Sequence, residues 1–150
     1  MELTSSAFQP GGDIPVKYTC DGKNINPPLT ISNVPAAAKS LVLIMDDPDV
    51  PKRLRADGMW DHWIVFNIPP TLQVIQEGQA PKGTCGIGTS HNLSYYGPCP
   101  PDREHRYFFK LYALDTGLEL ATGATKQQVE ASMSSHVLAK AELMGRYQRM

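Results

Sequence analysis

The chain has no excess charge of either sign, few cysteines and no apolar run long enough to cross a bilayer. Its 14 Lys and Arg stand against 15 Asp and Glu, with no long block of either. That balance leaves no basic footprint for nucleic acid or for acidic membrane surfaces. Neither nucleic acid nor integral membrane association is therefore expected. Met1 to Ser6 lack the basic and apolar regions of a secretory leader, so the expected location is cytoplasmic. Cys20, Cys85 and Cys99 are too sparse, and odd in number, for a disulfide scaffold. Three free thiols in a reducing compartment are the simplest expectation, with a Cys85–Cys99 bridge across the Gly-rich run as the alternative. No repeat or linker divides the 150 residues, which read as one domain, 1–150.

What the chain does have is turn formers. Its 13 Pro and 12 Gly are spread along the sequence, as in a loop-rich β protein. Ser40 to Met45 is a continuous apolar run ended by Asp47-Pro48, which predicts a strand buried on both faces. His62 to Ile68 is β-branched and aromatic and stops at Pro69-Pro70. Arg106 to Leu114 is a third run, with Tyr107, Phe109, Leu111 and Ala113 on one face. Thr125 can cap a helix in which Val129, Met133 and Val137 recur at helical spacing. Val137 to Tyr147 reads either way, because its Ala and Leu favour helix while its apolar residues alternate as in a strand.

The chemistry-bearing residues lie where these runs begin and end. Asp47 and Asp49 follow the first, Trp60 and His62 open the second, and His105 precedes the third. If the strands are neighbours, these side chains converge at one sheet edge, on a rigid support. A carboxylate beside an imidazole holds its tautomer and favours its charged form, which donates to an anion. Two such imidazoles, the Tyr107 hydroxyl and backbone N–H groups of the Gly86 to Pro101 run would cradle a phosphate or carboxylate. On this reading Asp47 and Asp49 orient His62 and His105. Singly, each residue has a plain structural reading: Asp-Pro is a common turn, and a half-buried strand histidine or tryptophan is ordinary. The conjunction carries the weight.

The order DPDVP, WDHWIVFNIP and GTSHNLSYYGPCPPDREHRYFFKLYAL resembles the phosphatidylethanolamine-binding protein family, also called Raf-kinase-inhibitor-like, and within it the small bacterial branch. The resemblance runs from ELTSSAF to AELMGRYQR. It implies a β-rich α+β fold, with a large central antiparallel sheet, a smaller second sheet and few helices. It also implies a strand for the ambiguous tail, and an anion pocket at the sheet's end. Residue by residue it points to Asp47, Asp49, Trp60, His62, Gly97, Pro98, His105 and Tyr107 as ligand-binding positions. Eukaryotic members carry a helix beside the pocket that has no counterpart here, so a more open mouth is expected.

The leading expectation is a small binding protein for phosphate- or carboxylate-bearing ligands, a phospholipid head group among them. An inhibitor or regulator of a kinase or protease, acting through the pocket-side surface, is the alternative. A hydrolase ranks third, because no Ser, Cys or Lys stands in a nucleophile motif and the histidines lack short metal spacing. Neither a catalytic residue, a metal nor a cofactor is assigned. The resemblance is compatible with a homodimer.

Overall fold

The computed structural model describes residues 1–150, and its regular secondary structure is mostly strand. They are β1 (Glu2–Thr4), β2 (Leu29–Ser32), β3 (Ser40–Asp47), β4 (Trp60–Ile68), β5 (Val74–Ile75), β6 (Thr84–Cys85), β7 (His105–Leu114) and β8 (Val137–Tyr147), with one α-helix, α1 (Lys126–Met133). The large sheet has the order β6-β4-β3-β7-β8 and the small sheet β1-β2-β5, antiparallel throughout. The central β3 is buried along its whole length, as its unbroken apolar run predicts.

Period-2 alternation divides the large sheet into two cores. Leu41, Leu43, Met45, Trp63, Val65, Tyr107, Phe109, Leu111 and Leu143 pack toward the small sheet and its Leu3, Leu29, Ile31 and Ile75. Val42, Ile44, Ile64, Phe66, Tyr112 and Leu114 pack on the other face against Val129 and Met133 of α1. Thr125 caps that helix as expected: its hydroxyl accepts from the Gln128 N–H, and the Gln128 side chain accepts from the Thr125 N–H. The helix stops at Met133, however. Val137 is not its next apolar position but the exposed first residue of β8, which pairs with β7 from Leu114 down to His105. The long ladder overrides the local helix propensity of Ala and Leu, because each residue of the tail gains cross-strand partners in the sheet.

The expectation of three free thiols is wrong. Cys20 and Cys99 form a disulfide across a sequence separation of 79, and Cys85 alone is free. The docking of two loops creates the pair: the turn after a 3-10 segment at Val16–Tyr18 meets the loop after Tyr96, and the Cys20 N–H donates to the Pro98 carbonyl at 3.1 Å. With a bridge present, the step from free thiols to a reducing compartment loses its premise. No helix is long and apolar enough to cross a membrane.

Candidate functional site

A cavity of about 230 Å³ opens at the end of the large sheet, where β3 ends and β4 and β7 begin. Asp47, Trp60, His62, His105 and Tyr107 line it together with Tyr96, Pro100 and Pro101, and Val50 and Leu54 stand among its apolar lining. Five of the eight positions expected from the sequence are thus brought together. Asp49, Gly97 and Pro98 are not among the lining residues.

Strand register explains how the histidines arrive. Along β7, His105, Tyr107 and Phe109 alternate toward the same side, so His105 and Tyr107 extend the core face beyond its apolar part. In β4, simple alternation from Trp63 would turn His62 to the opposite face. A bulge prevents this: Met45 pairs with Trp63 while the next residue, Asp46, already pairs with Asp61, leaving His62 as the extra residue. The bulge aims the imidazole into the cavity, edge-on to the Tyr107 ring at 5.4 Å. Nothing in the period-2 pattern announces it.

Asp47 is almost fully buried. Its Oδ2 lies 2.6 Å from His105 Nδ1, and its Oδ1 accepts from the Asp49 N–H at 2.7 Å. Burial is the main influence on Asp47 and pushes its carboxyl above the usual range against the opposing bond from His105. The second of these bonds is an Asx turn, which swings Asp49 out of the pocket. Asp49 therefore does not orient a histidine. It takes Arg106 in a bidentate pair (2.9 and 3.0 Å) and accepts the Arg106 N–H at 2.8 Å. The Arg106 bond, despite partial burial, holds its carboxyl below the usual range.

The two imidazoles differ in character. His62 Nδ1 lies 2.6 Å from the Tyr96 carbonyl oxygen, which can only accept, so Nδ1 carries the proton. Burial depresses the His62 pKa to about 4, and the distant help of Asp46 does not offset it. The ring is therefore neutral at ordinary pH, and Nε2, free of protein partners, is an acceptor. This corrects the expected cationic donor: no carboxylate reaches His62, and desolvation decides. His105 has different neighbours. It is fully buried, with Asp47 on Nδ1 and Asp102 Oδ1 at 2.7 Å on Nε2. Burial works to raise the Asp102 pKa, but the bonds from His105 and from the Arg103 backbone outweigh it and hold the carboxyl low.

Tyr107 completes the lining. Its hydroxyl is buried and its proton finds no acceptor, and burial followed by the charge of Asp47 drives its pKa well above that of a free phenol against the opposing backbone bond from Cys99. It stays a donor. Gly97 and Pro98 act by holding the loop instead. The Gly97 N–H donates to Asn24 Oδ1 at 2.7 Å. A Cβ at Gly97 would collide with the Tyr18 carbonyl oxygen and lie 2.6 Å from Asn24 Oδ1, so only glycine allows this approach.

Behind the cavity, on the opposite face of the sheet, Asp46 accepts from Lys110 at 3.0 Å and from Lys126 at 3.2 Å. Lys126 also pairs with Asp61 at 2.7 Å. The neighbours of Asp47 and His62 in the chain are thereby clamped to the first residue of α1. This cluster and Asp102 are absent from the sequence-based site, because both depend on which loop or helix docks where.

A two-sheet β protein with a small ligand-sized cavity at the sheet's end is the class that fold and site define. The family model for phosphatidylethanolamine-binding protein matches residues 4–148, and the chain belongs to that family. It is 50% identical over 149 residues to a UPF0098 protein of Chlamydia trachomatis, covering 99% of each chain. A UPF0098 protein of Methanothermobacter thermautotrophicus is also 50% identical, over 155 residues, with 99% of each covered. Among solved structures, a phosphatidylethanolamine-binding-protein homolog from Chlamydia trachomatis superposes with a TM-score of 0.97 at 49% identity, covering 99% of this chain and 97% of that one. YbcL of E. coli superposes with a TM-score of 0.89 at 28% identity, covering 99% and 98%.

Proposed function

We propose that the protein binds a small ligand through a phosphate or carboxylate group held in the cavity of His62, His105 and Tyr107, with Trp60, Tyr96, Pro100 and Pro101 flanking the rest of it. The observation that carries this reading is the Tyr107 hydroxyl, a buried donor without a partner on a cavity wall. Such a group costs stability unless something occupies it. Beside it, His62 Nε2 accepts rather than donates, which suits an acid group that keeps one proton. A phosphomonoester as its monoanion could accept from Tyr107 and donate to His62. Its second ionisation lies near pH 6, so affinity should weaken as pH rises through that value, by titration of the ligand rather than of His62.

A protein target on the same surface stays the alternative, since the mouth carries exposed Leu54. Homodimer formation is a separate proposal, to be read from the mass of the native protein.

Tyr107→Phe separates the pocket from the fold. Removing a buried hydroxyl whose proton has no acceptor should change stability little. Losing one hydrogen bond to a charged group should weaken O-phosphoethanolamine binding roughly tenfold to a hundredfold. Calorimetric titration at pH 6 checks both the parent and the variant. Equal affinities would remove Tyr107 from the site, and absence of binding by the parent would sink the small-anion reading.

A further inference from the structure

We propose that Asp102, which lines the groove beside the pocket, blocks His105 Nε2 as an internal anion, and that a ligand's acid group gains that nitrogen by displacing it. This rests on the pocket reading above and adds how the site is regulated. The carboxylate of Asp102 already sits 2.7 Å from that nitrogen. Asp47 fixes the other side of the ring, so Nε2 is the only imidazole nitrogen of His105 open to exchange. The two partners are unequal: Asp47 is 4% exposed and built into β3, whereas Asp102 is 26% exposed and rides on a surface loop. The weaker hold is the outer one.

Charge gives the exchange its sense. An anion added beside Asp102 and Asp47 would bring a third negative group to one ring, which like-charge repulsion opposes. A monoanion that replaces Asp102 leaves the charge around His105 unchanged. The displaced carboxylate also has somewhere to go. A groove of about 540 Å³ shares Pro100 and Pro101 with the pocket and is lined further by Asp102, Arg103 and Arg149. Arg149 is held there by Asp21 at 2.9 Å. Arg103 is 61% exposed and already stands 3.7 Å from Asp102 Oδ2, ready to receive it.

The disulfide defines the moving part. Cys99 is tied to Cys20, and the Pro98 carbonyl accepts the Cys20 N–H, so the loop cannot shift as a whole. His105 is the first residue of β7. Motion is confined to the span between these anchors, which contains Asp102.

The test titrates inorganic phosphate and O-phosphoethanolamine into the parent, Asp102→Asn and Asp102→Ala at one pH, with Tyr107→Phe as the pocket control. Losing the internal competitor should tighten binding roughly tenfold to a hundredfold in Asp102→Ala, the worth of one charge-assisted hydrogen bond. Asp102→Asn, still an acceptor but neutral, should fall between. Far-ultraviolet circular dichroism should match the parent, because Asp102 lies on an exposed turn. Asp102 variants that bind no tighter than a parent whose binding Tyr107→Phe weakens would overturn the exchange and leave the pocket standing. Absence of binding by the parent would overturn both.

Discussion

A chain carrying Cys20→Ser and Cys99→Ser should lose about 4.5 kcal/mol of stability, the chain-entropy value for a loop closed over 79 residues. That is a large share of the roughly 5 to 15 kcal/mol that holds a domain of this size folded. Thermal unfolding should drop by roughly 10 °C or more. Before reduction the denatured parent should present one alkylatable thiol, that of Cys85, and three after it. Cys85→Ser is the control and should unfold near the parent. A double variant as stable as the parent would show that the bridge does not form in solution or does not constrain the unfolded chain.

His62 should make the protein acid-sensitive well above the carboxylate range. In the unfolded chain an imidazole titrates near pH 6.5, whereas burial lowers it to about 4 in the fold. Between those values the unfolded state binds a proton that the native state does not, so stability falls as pH falls. The loss begins near pH 6.5 and is complete near pH 4, where both states are protonated. A shift of this size corresponds to about 3 kcal/mol across that window. Urea unfolding of the parent and His62→Gln at pH 7 and pH 4.5 isolates this effect as a difference of slopes, whatever the substitution itself costs. The same pH dependence in both proteins would mean that the ring is already charged in the native state.

The framework of this fold was legible in the sequence because one physical rule governs it. Apolar residues at period 2 mark Tyr107, Phe109 and Leu111 as core, and the unbroken run into Asp47 marks a central strand. The Thr125 cap was legible for the same local reason. The tail could be assigned only through the family resemblance, since Val137 continues the helical spacing of Val129 and Met133. The site was readable in part. Asp47, Trp60, His62, His105 and Tyr107 occur at strand ends, where sequence position predicts convergence. The charge state of His62 was not readable, because burial, rather than any neighbouring residue, fixes it. The Cys20–Cys99 bridge and the Asp102 contact depend on loops that meet only in three dimensions, and the turn that diverts Asp49 to Arg106 is made by a hydrogen bond that no spacing specifies.

The extra residue in β4 means that one wall of the pocket stands outside the pairing of the sheet. Trp60 opposite Asp47, Asp61 opposite Asp46 and Trp63 opposite Met45 already form an unbroken alternating ladder without His62. The histidine is inserted between rungs, so the pairing of the strands does not depend on what its side chain is. Change at this position is therefore free to rewrite what the cavity recognises without renegotiating how the strands are paired, and a lineage could explore new ligands at the cost of a single side chain.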